Sequence, residues 1–189
     1  MPRLFTGVEL PADVTQDLDL MKGGIAGARW IDRESFHITL RFIGDIDDGL
    51  AREIAFALEG VTARPFSLRL SGLGVFGGNK PHTLYAAVEE SPELRRLQSI
   101  HERICQVLGL AAEGRKFTPH VTIARFPRGM VEAEAAKLGA FLQAWGDWAL
   151  APVTVPGFAL YRSDLRAEGA RYEVLAEYPG PLAGPGWSA

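Results

Sequence analysis

The sequence predicts an α+β fold in which antiparallel strands carry helices on the outside. Segments with strand patterns and segments with helix patterns alternate along the 189 residues, and several strands follow one another as hairpin-like pairs. This mixed order favours antiparallel sheets over a doubly wound parallel sheet. No linker separates the two halves, so we expect residues 1–189 to form a single domain with a duplicated, closely packed architecture.

The N-terminal half begins with an alternating strand that Pro11 ends. Val14, Leu18 and Met21 then recur at helical spacing. In order, the pattern predicts a strand at 3–10, a helix at 11–21, a strand region at 30–44, a helix at 47–58, a strand at 66–70 and a short apolar piece at 73–76. Gly72, Gly74 and the run at 77–79 are typical of turns, and the run at 77–80 indicates a hairpin rather than a phosphate loop.

The C-terminal half contains the clearest helix, at 91–108. Ser91 is its candidate N-cap, Pro92 fits the first helical position and Gly109 follows its end. The other predicted elements are strands at 83–88 and 117–125, a helix at 131–145, and closing strands at 148–155, 157–162 and 170–178. The Pro- and Gly-rich tail at 179–189 is expected to fray.

Composition and charge narrow the class of protein. The chain is 47% hydrophobic and 23% charged, and no apolar run approaches the ~20 residues that span a bilayer. The N-terminus lacks the pattern of a signal peptide, and the single cysteine, Cys105, fits a buried thiol in a reducing cytoplasm. A net charge of −3 argues against coating a duplex, so nucleic acid would be held through a few phosphates in a local cleft.

A short strand motif occurs twice and is the main functional signal. Residues 36–40 (FHITL) and 119–123 (PHVTI) share the order His, apolar, Thr, apolar, with the two histidines 120 − 37 = 83 residues apart. Alternate side chains of a strand share a face, so His37 lies beside Thr39, and His120 lies beside Thr122. Two of the four histidines in the chain therefore lie next to a hydroxyl on a polar face, which predicts a paired acid/base site.

Such a pair suits phosphate ester chemistry. One neutral imidazole accepts a proton from water, one imidazolium gives a proton to a leaving oxygen, and the threonine hydroxyls hydrogen-bond to the phosphate oxygens. Metal-dependent hydrolysis is the competing chemistry, but the chain has no His-x-His, no HExxH and no cysteine pair, and we expect neither metal nor cofactor. A single His-Thr pair would indicate only a hydrogen bond inside a sheet, whereas two matching copies indicate a site.

At these residues the chain resembles the 2H phosphoesterase superfamily. Within that superfamily it is most similar to the RNA 2′,3′-cyclic phosphodiesterases, also called the LigT or 2′-5′ RNA ligase family. The resemblance covers nearly the whole chain, at 3–5, 36–44, 72–76, 117–125 and 160–163. It implies a bilobed fold in which two pseudo-symmetric antiparallel sheets line a central cleft.

The resemblance also implies an activity and its residues. It implies metal-independent opening of a terminal 2′,3′-cyclic phosphate to a 2′-phosphate, with possible reversible 2′-5′ ligation. His37, Thr39, His120 and Thr122 match the catalytic positions, with His120 activating water and His37 protonating the departing 3′ oxygen. The expected partners are RNA termini or small nucleotide 2′,3′-cyclic phosphates, bound by a cytoplasmic monomer with no membrane partner.

Four more residues are candidate substrate contacts. The family has a polar phosphate-reaching residue at the offset of Arg125, which strict alternation places on the wrong face unless a bulge or the strand end re-aims it. Arg41 shares the face of His37 by alternation, and Phe5 and Tyr161 are candidates for stacking on a base, although strand aromatics also serve as core. His82 and His101 match no motif and are expected to be structural or solvated.

Two alternatives to this function stay open at the level of sequence. One is a relative that acts on another cyclic nucleotide or on a 2′-5′ linkage. The other is a non-catalytic module that binds phosphorylated RNA ends and never forms a product.

Overall fold

The structure, a computed structural model, describes residues 1–126, 130–166 and 169–179. The tail at 179–189, for which the sequence predicts fraying, lies outside these ranges except for Pro179. The helices of the described part are α1 (Ala12–Leu20), α2 (Asp48–Glu59), α3 (Pro92–Val107) and α4 (Glu132–Ala144). Its strands are β1 (Arg3–Glu9), β2 (Arg29–Trp30), β3 (His37–Asp45), β4 (Phe66–Leu68), β5 (Leu70–Phe76), β6 (Thr83–Val88), β7 (His120–Arg125), β8 (Val153–Val155), β9 (Phe158–Arg166) and β10 (Gly169–Tyr178).

The strands confirm the α+β class with antiparallel pairing. The large sheet has the order β10-β9-β1-β3-β7-β6-β5, with β2 added beside β7, and β4 pairs with β8 in a small second sheet. The two lobes are the halves β10-β9-β1-β3 and β7-β6-β5 of that one sheet. The halves join through a single residue pair between β3 and β7, Ile38 with Val121. Beyond that pair β2 takes over the edge of β7, so β3 and β7 separate and leave a cleft.

The main hydrophobic core lies between the large sheet and the helices. Helix α3 buries Leu94 and Leu97 there, and its N-terminus is capped as predicted, with Leu94 N donating to Ser91 Oγ at 3.1 Å. A second, small cluster consists of Phe5, Ala159 and Tyr161, with Tyr172 packed against it. This small cluster supports the part of the sheet that carries the first motif.

Several local predictions differ from the structure. The predicted strand 66–70 divides between β4 of the small sheet and β5 of the large one, and Gly74, predicted in a turn, lies inside β5. The predicted strand region 30–44 divides into β2 and β3, with a short 3₁₀ turn at Arg33–Ser35 between them. Gly72, with φ +78°, marks a register shift inside β5 rather than a turn, because glycine tolerates that backbone conformation. Only residues 153–155 of the predicted strand 148–155 pair as a strand. The run at 77–80 is the predicted hairpin turn, with Lys80 N donating to Gly77 O at 2.9 Å.

Among the residues that the structure describes, no helix is long and apolar enough to span a membrane.

Candidate active site

The site lies around the single residue pair that joins β3 and β7. Counting outward from Ile38 and Val121 places the histidine of each strand opposite the threonine of the other. Because Ile38 and Val121 are both fully buried, alternation sends their neighbours to the other face of the sheet. There the four motif side chains line one cavity of about 160 Å³: His37, Thr39, His120 and Thr122.

Both imidazoles are oriented by a backbone carbonyl two residues earlier in the chain. His37 Nδ1 donates to Ser35 O at 2.8 Å, and His120 Nδ1 donates to Thr118 O at 2.7 Å. A carbonyl can only accept, so each ring holds its proton on Nδ1 and each Nε2 is available for proton exchange. Nε2 of His37 lies 3.0 Å from Thr39 Oγ1, whose hydroxyl donates to it when the ring is neutral.

Aromatic rings enclose His37 on several sides. The ring of Phe5 lies 4.7 Å from the imidazole, that of Tyr172 meets it edge-on at 5.0 Å, and that of Tyr161 lies at 5.6 Å. Gly7 of β1 forms the floor, since a Cβ there would lie 2.9 Å from Ile38 O and 3.4 Å from His37 Cδ2. These contacts hold the imidazole in one position.

Stacking of Phe5 and Tyr161 on a base stays a prediction, and in the structure both rings have other partners. The two rings stack on each other at 4.7 Å and 3°, and they are only 3% and 5% exposed. Phe5 also faces His37 and forms part of the cavity wall, whereas Tyr161 does not line the cavity. Their place is behind the histidine, which they support.

His120 has fewer aromatic neighbours. Phe76 and Tyr85 meet its ring edge-on, at 4.8 and 5.3 Å. Phe76 and Tyr85 lie in the same half of the sheet as His120, on β5 and β6, and no sequence motif indicates them.

Both histidines favour the neutral form in the ligand-free site. Burial lowers the pKa of His37 to about 4, against the hydrogen bond to Ser35, and the charges of His120 and Arg125 lower it further. Burial also lowers the pKa of His120, against the hydrogen bond to Thr118, and the Arg125 charge adds to the effect. An anion bound between the rings would act in the opposite direction and raise both pKa values.

A bulge in β7 brings Arg125 to the cavity. Tyr85 pairs with Thr122 and Leu84 pairs with Ala124, so Ile123 is an extra residue on β7. Ile123 and Ala124 are both fully buried, which breaks the alternation, and Arg125 emerges on the face of Thr122 and lines the cavity. Strict alternation places Arg125 on the opposite face, and this bulge is what turns it toward the site.

The same irregularity occurs in β3, at the matching place. Gly7 pairs with Thr39 and Thr6 pairs with Arg41, which leaves Leu40 as the extra residue. Leu40 and Arg41 are consequently both buried, and alternation resumes out of phase.

The prediction that Arg41 shares the face of His37 is therefore wrong. Arg41 is only 8% exposed, its Nε lies 2.6 Å from a carboxylate oxygen of Glu102, and its Nη2 donates to Ala111 O at 2.5 Å. Arg41 thus ties β3 to α3 and to the segment that leads into β7.

Phe42 is a cavity residue that sequence reasoning missed. It is 37% exposed, lines the cavity, and has the Arg3 guanidinium 5.0 Å above its ring. Phe42 follows His37 by five residues, as Arg125 follows His120, so the offset shared by the two motifs was the available signal. Tyr172 and Ser163 also line the cavity, from β10 and β9, without any motif.

The two remaining histidines have structural contacts. His101 is 1% exposed and its Nδ1 lies 2.8 Å from Thr6 Oγ1, while His82 Nδ1 lies 2.9 Å from Thr83 Oγ1. Within the described ranges, no group of three or more His, Cys, Asp or Glu side chains is placed to hold a metal ion.

Comparison with known families and sequences gives a consistent result. The model of the 2′-5′ RNA ligase superfamily matches residues 21–166. An RNA 2′,3′-cyclic phosphodiesterase of Aeropyrum pernix is 34% identical over 82% of this chain and 87% of that protein. One of Geobacillus stearothermophilus is 31% identical over 93% of this chain, which spans only 56% of that longer protein.

Solved structures share the fold at low identity. A crystal structure of a phosphoesterase superposes with a TM-score of 0.76 at 18% identity, covering 94% of this chain and 97% of that one. E. coli LigT complexed with 3′-AMP gives a TM-score of 0.72 at 19% identity, with 94% and 97% of the two chains covered.

Proposed function

Because the chain belongs to the 2′-5′ RNA ligase superfamily, we propose that it hydrolyses a terminal RNA 2′,3′-cyclic phosphate to a 2′-phosphomonoester. The observation that supports this most strongly is the arrangement around Ile38 and Val121. Two histidines, each with Nδ1 held by a carbonyl, and two threonines converge on one small cavity. This is the arrangement that in-line displacement at phosphorus requires, with an acid and a base on opposite sides of the reacting atom.

The proposed reaction begins at His120. Its Nε2 takes a proton from a water molecule, and the water oxygen forms a new bond to phosphorus. The bond between phosphorus and the 3′ oxygen breaks, and His37 gives its Nε2 proton to that oxygen. The products are a 2′-phosphate and a 3′-hydroxyl, and one further proton exchange with solvent restores both histidines.

The phosphate oxygens require donors. The hydroxyls of Thr39 and Thr122 lie on the cavity wall beside the histidines, and Arg125 supplies a positive charge from the same wall. Charge-assisted hydrogen bonds of this kind strengthen as negative charge builds up on the phosphate oxygens.

The proposed acid has to gain its proton together with the substrate. With a pKa of about 4, His37 is neutral in the ligand-free site at neutral pH. The negative charge of the cyclic phosphate raises the pKa of His37, so that His37 is protonated when the substrate is bound. Because kcat/KM reports the free enzyme, we expect its bell-shaped pH profile to peak on the acid side of the ordinary histidine range.

The direct test is hydrolysis of an oligonucleotide that ends in a 2′,3′-cyclic phosphate, in excess EDTA. Phosphorus NMR of the product should show a 2′-phosphate. A 3′-phosphate would contradict the assigned leaving group, and no product, despite measurable binding of the oligonucleotide, would favour the binding module instead. Turnover of other cyclic nucleotides or 2′-5′ linkages in preference to RNA ends would favour the broader 2H alternative.

The same residues would serve reversible ligation. A 5′-hydroxyl that attacks the cyclic phosphate in place of water is deprotonated by His120 while His37 protonates the departing 3′ oxygen, which leaves a 2′-5′ linkage. In the reverse reaction the 3′-hydroxyl attacks that linkage, the 5′ oxygen departs, and the two histidines exchange roles. We further propose that the protein acts as a monomer in a reducing compartment, in keeping with Cys105 as a buried single thiol whose pKa burial raises. Sedimentation of the purified protein tests the monomer.

A further inference from the structure

A groove rich in arginine opens directly off the catalytic cavity. Its volume is about 850 Å³, and it shares Phe42, Arg125, Ser163 and Tyr172 with the cavity. Four arginines from four different strands line it, namely Arg3, Arg29, Arg125 and Arg171. We call this cleft the arginine groove. The catalytic cavity, at about 160 Å³, is smaller than the roughly 300–1,000 Å³ of ordinary ligand pockets, so a bound nucleotide must extend beyond it.

Arg29 and Arg125 are direct cross-strand neighbours in the β2–β7 ladder. Opposite residues of an antiparallel pair share a face, with Cβ atoms about 4.5–5.5 Å apart, and like charges so placed repel each other. Within residues 1–126, 130–166 and 169–179, neither guanidinium forms an ion pair with a carboxylate. A bound strand that brings one phosphate to each of them would relieve the repulsion.

Arg29 also reaches across the groove. A Cβ on Gly169, in the β9–β10 hairpin of the other half of the sheet, would lie 3.9 Å from Arg29 Cδ. Arg29 therefore stands where a chain leaving the catalytic cavity passes between the two halves.

The groove also contains opposing charges. Asp32 and Glu34 lie on its wall, and Arg3 is held by Asp45 at 3.3 Å. Arg29, Arg125 and Arg171 are consequently the arginines of the groove that a phosphate can use without displacing an ion pair of the described part, and Arg29 is the one directly beside Arg125.

A second opening off the cavity is less suited to phosphates. It has a volume of about 560 Å³ and also exposes basic residues, but Arg115 there is bonded to Glu113 at 3.1 Å and Arg41 is paired with Glu102. Apart from His82 and His120, Lys116 is the remaining basic side chain on its described wall.

We propose that the arginine groove binds the RNA strand on the 5′ side of the cyclic phosphate, with Arg29 contacting the first internal phosphodiester. This inference rests on the proposed function, in which Arg125 faces the terminal phosphate. It specifies the substrate as the end of a polynucleotide rather than a free cyclic mononucleotide.

The test compares a short single-stranded RNA that ends in a 2′-phosphate with the corresponding nucleoside 2′-phosphate. Both are products, so binding can be measured by fluorescence anisotropy and competition without turnover. We expect Arg29→Ala to weaken binding of the RNA roughly tenfold and to lower the slope of log affinity against log salt by about 0.7. Binding of the mononucleotide should change less than about twofold, because the mononucleotide has no internal phosphodiester and an exposed charge contributes little to binding at a distance.

Two variants serve as matched controls. Arg96→Ala removes the same charge from the exposed side of α3, and Lys116→Ala removes a charge from the second opening. Asp32→Asn should strengthen RNA binding, and its side chain makes no capping hydrogen bond whose loss would disturb the fold.

The outcomes separate the two proposals. Selective loss of RNA binding in Arg29→Ala supports the groove, whether or not the wild-type protein hydrolyses a cyclic phosphate. Equal affinity of Arg29→Ala and Arg96→Ala for RNA overturns the groove, as does a larger loss in Lys116→Ala. Failure of the wild type to hydrolyse cyclic-phosphate-ended RNA overturns the proposed function alone.

Discussion

The two halves of the sheet present the same backbone arrangement in different surroundings. In each half, a histidine begins a strand and donates Nδ1 to the carbonyl two residues earlier. In each half, a bulge then turns the residue five positions after the histidine toward the cavity. The first half, however, has three aromatic rings around His37 and presents Phe42, whereas the second has two rings around His120 and presents Arg125.

This difference gives the two histidines of a duplicated motif unequal surroundings. The repeated backbone brings the two imidazoles to one cavity, and the proposed in-line displacement needs an acid and a base on opposite sides of the phosphorus. The neighbours then distinguish them, because burial and charge set the pKa of each ring. The positive charge lies on the side of His120, and the tightest enclosure lies on the side of His37.

The largest effects should come from removing either imidazole. His37→Ala and His120→Ala should each reduce kcat/KM by roughly 10²–10⁴-fold, the usual contribution of a positioned acid or base. A substrate with sulfur in place of the leaving 3′ oxygen needs no proton on its leaving group. That substrate should restore much of the rate of His37→Ala and little of that of His120→Ala, as measured by single-turnover kinetics.

The opposite pattern of rescue would exchange the two assignments while leaving the pair intact. Equal rescue of both variants would break the comparison itself, because the halves would then be chemically equivalent. Circular dichroism of each variant controls for folding.

The next effect tests the enclosure of His37. Gly7→Ala introduces a methyl group 2.9 Å from Ile38 O, so the backbone beside His37 must shift, and it also contacts the imidazole at 3.4 Å. A displacement of about 1 Å can cost 10²-fold in rate, and we expect a loss of kcat of that order. Gly139→Ala in α4 adds the same methyl group with no atom within 4 Å and should leave kcat unchanged. Wild-type kcat in Gly7→Ala would show that the close floor under His37 is not needed.

A smaller effect tests the charge that only the second half presents. The Arg125 charge lowers the pKa of both histidines, so Arg125→Gln should raise both pKa values. Both limbs of the pH profile of kcat/KM should therefore move to higher pH, with a rate loss of roughly tenfold from the missing phosphate contact. Phe42→Ala, at the equivalent position of the first half, should leave the limbs where they are. Limbs that move equally in both variants would rule out the charge as the cause.

Sequence reasoning reached the motifs because their information is local. Alternation within a strand places His37 with Thr39, and His120 with Thr122, whatever the rest of the fold does. It failed at Arg41 because a bulge depends on the partner strand: Leu40 is extra only with respect to the register of β1.

The local sequence pattern does not predict the burial of Phe5 and Tyr161 either. Phe5 and Tyr161 lie 156 residues apart (161 − 5) and become a stacked pair only because β1 and β9 are adjacent in the sheet. The arginine groove has the same origin, since its residues come from β1, β2, β7 and β10 and meet only when the sheet forms.

The smallest effect on activity is expected at Arg41, where the halves differ in the core rather than in the cavity. Position four after the histidine is buried in both, but it is Arg41 with Glu102 in one half and Ala124 in the other. Arg41→Ala leaves a carboxylate that is 18% exposed without its cation, although Gln106 and the backbone of Glu113 still donate to it. We expect a loss of about 1–3 kcal/mol in the free energy of unfolding measured in urea, with kcat/KM of the folded protein within about twofold of wild type.

Two further variants serve as controls for Arg41→Ala. Adding Glu102→Gln should recover part of that loss, because it removes the unpaired charge. Arg95→Ala, which breaks an exposed pair with Glu90, should cost roughly 0–1 kcal/mol. A higher KM of Arg41→Ala with an unchanged unfolding midpoint would show that Arg41 contacts substrate. The bulge in β3 would then not turn Arg41 into the core, although the bulge in β7 turns Ala124 there.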